Sequence, residues 1–366
     1  MTRSQKKNKA GKRTFSAVDL FSGCGGLSEG LRNAGFIVKA AVEIELKAQR
    51  TYRLNHPKVR LYQQDIRKLP AKLLLQEVGL KSGELDLLAG CPPCQGFSRL
   101  RTRNQQTSVT DPRNDLVQDF LRFVRVLRPK TIMLENVPAL ADDARFKSLC
   151  GSLSKLGYDY VVHVLNAADY GVPQRRKRLI LLGSRVHRPV AAEKAELRVT
   201  VRNALASLES PSKTKDKLHA VPENRTLAVR EIIKLIPRDG GSRTDLPAEH
   251  WLECHKRNDG FRDVYGRMAW DDVSPTITSG CINPSKGRFL HPSQNRTITL
   301  REAALLQGFP RSYMFDVSHG KEAIALMIGN ALPPPFIKAH ARSLRMGIEA
   351  GEKGGKCTFQ ERRQSA

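Results

Sequence analysis

The chain has 366 residues, 40% of them hydrophobic, which is enough for one large domain or two ordinary ones with a real core. Its 62 Lys and Arg against 36 Asp and Glu leave a net charge of +26, which points to a polyanionic partner, most simply nucleic acid. No apolar stretch is long enough to span a bilayer, the basic segment 1–13 lacks the apolar core of a signal peptide, and seven scattered Cys do not form a disulfide framework. The expectation is a cytoplasmic protein with no membrane partner.

Residues 15–20 predict a first short strand, 23–26 a glycine turn and 27–33 a helix closed by Gly35. Residues 37–42 read as the second strand, 62–65 as a short third and 85–89 as the fourth. Helical spacing over 116–127 stops at Arg128-Pro129, and strands follow at 131–134, 161–165 and 179–182. Strands alternating with helices imply a largely parallel α/β sheet covered on both faces. From about His187 the alternation fades and charge rises, so 187–320 are expected to form a second, smaller and more basic domain. That leaves 1–13 as a basic disordered arm, 14–186 as the main domain, 321–350 as a return to it through a closing helix, and 351–366 as a tail.

Ligands bind outside the carboxyl ends of strands in such sheets, so residues at those ends deserve a chemical reading. Asp19-Leu20-Phe21-Ser22-Gly23-Cys24-Gly25-Gly26-Leu27 is a strand, a glycine turn and a helix start, where backbone can approach a ligand closely. Its spacing is neither the dinucleotide pattern nor a Walker loop. Glu43 ends the next strand and Asp65-Ile66 the third, which suggests an adenosine-type cofactor without a large phosphate requirement; each acid alone reads equally well as a solvated surface group.

Cys91-Pro92-Pro93-Cys94 has three readings: a redox dithiol, half of a zinc site, or a single catalytic thiolate at Cys94 with Cys91 incidental. No second Cys or His pair stands at metal spacing, and Gln95-Gly96-Phe97-Ser98 favours the third reading, so no metal is expected. Glu135, after the apolar run 131–134, is a candidate proton donor if buried, or else part of a helix cap. Arg175-Arg176-Lys177-Arg178 reads as a phosphate-binding face, with Arg176 and Arg178 turned to one side by strand alternation.

The ordered set resembles the cytosine-5 DNA methyltransferases. The elements are Asp19–Gly26, Glu43, Asp65-Ile66, Pro92–Ser98, Asp115-Leu116, Glu135-Asn136-Val137, Gln174–Arg178, Arg296–Pro310 and Gly329-Asn330-Ala331-Leu332, in order from about Thr14 to Phe336. The resemblance implies a Rossmann-like class I methyltransferase sheet with a smaller target-recognition domain, and S-adenosylmethionine as methyl donor. It implies Cys94 as the nucleophile on C6 of cytosine, Glu135 on the N3 edge and exocyclic amine, and Arg176 and Arg178 supporting the base carbonyl and the thiol. Phe21, Ser22, Gly23, Gly25, Gly26, Leu27, Glu43, Ile44, Asp65, Ile66, Pro93, Leu116 and Asn330 are the implied cofactor residues. The stretch 99–113 is similar to the family's loop that closes over DNA, which makes Ser98, Arg99, Arg101 and Arg103 candidate DNA contacts, with Thr276 and Thr278 added from the small domain. Two positions depart from the family: Ala331 stands where Ser is common, and Ile44 where some members carry an aromatic. The expected partner is double-stranded DNA with an extruded base, with a cognate restriction endonuclease and a monomeric state as further expectations. A tRNA methyltransferase on the same scaffold is the alternative; its usual Cys-Phe-Thr tripeptide is absent.

Overall fold

The computed structural model describes residues 13–93, 115–251 and 263–353. Its centre is a seven-stranded sheet of Phe15–Leu20 (β1), Phe36–Val42 (β2), Arg60–Tyr62 (β3), Leu87–Gly90 (β4), Thr131–Asn136 (β5), Asp159–Asn166 (β6) and Lys177–Ser184 (β7), in the order β3-β2-β1-β4-β5-β7-β6. β1 pairs in parallel with β2 and β4, β2 with β3 and β4 with β5, whereas β7 runs antiparallel between β5 and β6. The strand order reverses direction between β1 and β4, which is the position where open α/β sheets hold their ligands.

Sequence explains why these strands lie where they do. β1, β4 and β5 are buried at every residue, as expected of strands covered on both faces, which read as apolar runs rather than alternations. β3 is a three-residue edge strand, short enough to present little unpaired backbone. Leu116–Leu127 buries Leu116, Val117, Phe120, Leu121, Phe123, Val124 and Leu127 and joins Leu74 and Leu149 on one face of the sheet. On the other face, Leu27 and Leu31 of the helix Gly26–Asn33 pack with Phe336, Ile337, Ala341 and Leu344 of the helix Pro334–Lys353.

Three expectations need correction. The third strand is Arg60–Tyr62 rather than 62–65. Asp65 instead caps a 3-10 turn over Ile66–Lys68 by accepting the Arg67 backbone N–H, because a short acidic side chain satisfies a free N–H more readily than it extends a strand. β5 runs on through Glu135 and Asn136, so neither residue belongs to a helix cap. Arg176 precedes β7 and is not a strand residue.

A second core lies beyond the sheet. Val201, Leu205, Leu218, Met268, Phe289 and Ile298 pack with residues of the helices Leu300–Leu306 and Lys321–Asn330, and also with Cys24 and Ala48. Fully buried Arg267 organises the neighbouring segment: it donates to the carbonyls of Ile233 at 2.7 Å, Ile236 at 3.1 Å, His291 at 3.0 Å and Gln294 at 2.5 Å, and to Asn295 Oδ1 at 2.7 Å. Each acceptor offsets part of the cost of burying the guanidinium.

Candidate active site

The site is built on one face of the sheet, at the carboxyl ends of its central strands. Alternation along β1, β4, β5 and β7 sends Ala17, Ala89, Met133 and Ile180 to the face covered by Gly26–Asn33 and Pro334–Lys353. Two residues further toward the site, the same alternation places Asp19, Cys91, Glu135 and Arg178 on that face.

Glu135 is 1% exposed. Arg178 Nε lies 3.0 Å from its Oε1, and the Cys91 thiol donates to its Oε2 at 3.0 Å. Burial is the largest influence on this carboxyl and raises its pKa; the charges of Arg178 and Arg176 and the Cys91 hydrogen bond pull the other way without cancelling it. A buried acid held in this manner can keep a proton for a ring nitrogen and still accept from an amine.

The next residue, Asn136, is also 1% exposed. Its Nδ2 donates to the Pro92 carbonyl at 2.9 Å and its Oδ1 accepts the Val137 N–H at 2.8 Å. Asn136 therefore fastens the proline turn to the end of β5, two residues before Cys94. Cys94 itself lies outside the described residues, as do Ser98, Arg99, Arg101 and Arg103.

Arg176 and Arg178 have different surroundings. Arg176 is buried and donates to the carbonyls of Ile277 at 3.0 Å and Gly329 at 2.9 Å. Gln174 completes this latch: it donates to Leu306 O at 3.1 Å and to Gln307 Oε1 at 2.7 Å, and accepts the Ile277 N–H at 2.9 Å. These bonds join the approach to β7 to residues 277, 306–307 and 329. Exposed Thr278 lies next to that joint, and the Thr276 hydroxyl donates to the Arg175 carbonyl at 2.6 Å.

The glycine turn follows β1. Phe21 adopts φ +65°, a left-handed conformation that is uncommon for a bulky residue and costs on the order of 1 kcal/mol. Gly25 has φ +101°, and a Cβ there would lie 2.7 Å from His56 Nε2; one on Gly26 would meet the Leu332 carbonyl at 2.4 Å. Only glycines permit this turn to sit against residues 327–332, where Cys24 Sγ also donates to the Met327 carbonyl at 3.7 Å. Asn330 is exposed at the end of the helix that carries Met327.

Glu43 follows β2 and accepts the N–H groups of Gly23 at 2.7 Å and Glu45 at 2.8 Å; burial raises its pKa. Asp65 is held below the ordinary carboxylate range, chiefly by Arg67 hydrogen bonds. Buried Asp19 accepts from Ser28 Oγ at 2.6 Å, and burial pushes its pKa up to about 8. Ser22, Leu27, Ile66 and Leu116 are buried, Pro93 is half-buried and Ile44 is exposed.

Sequence reasoning missed two residues here. Cys91 read as incidental and Asn136 only as a candidate helix cap. Extending the last pair of β4 with β5, Gly90 beside Leu134, by one and two residues sets Cys91 beside Glu135 and Pro92 beside Asn136; that register was the missing signal. Among the described residues no group of three or more His, Cys, Asp or Glu could hold a metal ion, and no helix is long and apolar enough to cross a membrane.

The chain is similar to known proteins along most of its length. The family model for C-5 cytosine-specific DNA methylases matches residues 15–345. Type II methylase M.HgiDII of Herpetosiphon aurantiacus is 34% identical over 355 residues, covering 91% of this chain and 96% of the relative. Type II methyltransferase M1.HphI of Haemophilus parahaemolyticus is 33% identical over 338 residues, covering 90% and 87%. A solved prophage-encoded protein of E. coli, described as a DNA modification methyltransferase, superposes with a TM-score of 0.66 at 26% identity, over 92% of this chain and 100% of that one. The chain belongs to the C-5 cytosine-specific DNA methylase family and is a DNA cytosine-5 methyltransferase.

Proposed function

We propose that this methyltransferase takes its methyl group from S-adenosylmethionine and works on a base extruded from duplex DNA, through a covalent bond between Cys94 and C6 of cytosine. The observation that carries this reading is Glu135: a buried carboxyl with a raised pKa, between Arg178 and Cys91, beside the turn that leads to Cys94.

The Cys94 thiolate attacks C6, the C5–C6 double bond opens toward N3, and Glu135 gives its proton to N3 while accepting from the exocyclic amine. C5, now nucleophilic, takes the methyl group as the donor's carbon–sulfur bond breaks and its sulfur leaves as a neutral thioether. Loss of the C5 proton to water restores the C5–C6 double bond and breaks the C6–S bond, freeing the thiolate, and N3 returns its proton to Glu135. Covalent attachment divides one difficult step into easier ones. Arg178, on Oε1 of Glu135, orients the acid toward the base. Arg176 serves by holding the small-domain segment at 277 and the returning segment at 329 against the approach to β7.

Bound S-adenosylmethionine supplies an electrophilic methyl group on a sulfonium. Three observations fit it. Open space lies beside Gly23, the apolar side chain of Ile44 is 62% exposed, and Asp19 Oδ1 is buried without a hydrogen-bond partner in the protein. Glu43 would hold the ribose hydroxyls through lone pairs left free by Gly23 and Glu45, Asp65 the adenine edge, and Phe21, Pro93, Leu116 and Asn330 the remaining walls. Residues 187–320 would read the target, with Ser98, Arg99, Arg101, Arg103, Thr276 and Thr278 against the DNA. The Type II relatives support a place in a restriction-modification pair, and one site with one target region supports a monomer.

The test incubates the protein and labelled S-adenosylmethionine with duplex DNA or tRNA. Label as 5-methylcytosine in duplex DNA is expected; label only in tRNA, or in neither, contradicts the proposal. Bisulfite sequencing of DNA from expressing cells would then give the target sequence.

A further inference from the structure

The reaction as derived leaves Cys91 without a task, yet its thiol is set against the reacting carboxyl. Backbone geometry accounts for the placement. The Cys91 N–H donates to the Leu20 carbonyl at 3.3 Å, which carries the β1–β4 ladder one residue past β4. On the other side, the β4–β5 pairing ends at Gly90 beside Leu134, and one further step of the same register sets Cys91 beside Glu135. Registered neighbours in a parallel pair point to the same face, so the contact is fixed by the sheet before any side chain chooses a rotamer.

A carboxyl on a long side chain turns freely about its last torsion. Arg178 stands at Oε1 as a charge contact without hydrogen-bond geometry, which leaves that torsion soft. Cys91 at Oε2 supplies the second point, from the opposite strand. Each oxygen has two lone-pair sites; Oε1 has no hydrogen-bond partner in the protein and the thiol takes one site of Oε2, so both oxygens keep acceptor sites for the base. A thiol is a weak donor, so it can orient the carboxyl while stabilising the anion less than a hydroxyl would.

We propose that Cys91 is a positioning residue for methyl transfer: its thiol fixes the plane of the Glu135 carboxyl so that the free side of Oε2 meets the edge of the cytosine. This rests on the reading of Glu135 as the acid that protonates N3, and the experiment separates the two.

The rate of a single turnover is measured against pH for the full-length wild type, Glu135→Gln, Cys91→Ala and Cys91→Ser, using labelled S-adenosylmethionine and PCR-amplified, hence unmethylated, genomic DNA. The reaction needs Glu135 protonated, so its rate should fall on the basic side as Glu135 ionises. Removing a donor to the carboxylate favours the proton: Cys91→Ala should move that basic limb up by roughly half a pH unit, the size expected of one weak hydrogen bond. It should also slow the transfer several-fold with DNA affinity unchanged. Cys91→Ser, a stronger donor, should move the limb down. A side chain that only fills space would move neither limb, and the two opposite shifts keep the test sharp should one variant fold poorly. If Glu135→Gln is impaired but both Cys91 variants keep the wild-type limb, the proposal for Cys91 is overturned and the reading of Glu135 stands. If Glu135→Gln keeps the wild-type rate and limb, the reading of Glu135 fails and the proposal falls with it.

Discussion

Two glutamates are buried to the same degree in this molecule and are held in opposite ways. Glu135 at the end of β5 and Glu302 in the helix Leu300–Leu306 are each 1% exposed. Around Glu302, Arg296 reaches both oxygens at 2.7 Å, the Thr299 N–H donates at 2.7 Å as half of a capping box, and His291 lies 3.8 Å away. Burial raises the Glu302 pKa, but these partners outweigh it and the carboxyl sits below its ordinary value of 4.5. Around Glu135 burial wins over Arg178 and Cys91, and the carboxyl sits above the same value. Burial alone therefore does not identify a working acid. What distinguishes Glu135 is incomplete compensation at the carboxyl end of a central strand, where a base can supply the missing partners.

The comparison is open to breakage at both residues. The largest effect is expected for Glu135→Gln, which removes the proton donor: methyl transfer should fall by about 10²–10⁴-fold, the usual worth of a positioned acid, with a melting temperature equal to or above that of the wild type. A variant that unfolds early while retaining its rate per folded molecule would invert the comparison. Next comes Glu302→Gln, which leaves Arg296 facing a neutral amide in a buried setting. It should cost about 3 kcal/mol in denaturant unfolding, with methyl transfer per folded molecule retained; a loss of rate at full stability would make Glu302 a functional group instead.

Stability against pH sharpens the contrast, because the two linkages have opposite signs. The Glu135 pKa is raised on folding, so above pH 4.5 the folded state binds more protons than the unfolded state and the wild type loses stability relative to Glu135→Gln as pH rises. The Glu302 pKa is depressed, so the wild type loses stability relative to Glu302→Gln as pH falls below 4.5. Parallel curves in either comparison would contradict the corresponding assignment. The smallest effect belongs to a hydrogen bond with no charged member: Thr276→Val removes only the bond to the Arg175 carbonyl and should cost about 1 kcal/mol or less in unfolding.

Most of the sheet is legible in the sequence because its strands are buried on both faces and read as apolar runs. Legibility stopped where polar residues continue a strand. Glu135 and Asn136 look as if they lie beyond the end of β5 because nothing in the local sequence supplies the Arg178 charge, the Cys91 thiol or the Pro92 carbonyl that hold them in the fold. The reversal of β7 is likewise invisible locally, since Leu179-Ile180-Leu181-Leu182 would suit either direction. Glu135 and Arg178 could be named as candidates because charged residues at strand ends attract attention; Arg176 could be named too, but its bonds to the Ile277 and Gly329 carbonyls link segments roughly a hundred residues apart or more, and those follow only from the tertiary structure.

The most direct test of the central claim is infrared titration of the protonated carboxyl band, taken as the difference between wild type and each glutamine variant so that other buried acids, Asp19 among them, cancel. The account predicts that the band removed by Glu135→Gln persists to a pH above the ordinary 4.5 of a glutamate, and that the band removed by Glu302→Gln vanishes below it. Two bands titrating together, or in the reverse order, would contradict it.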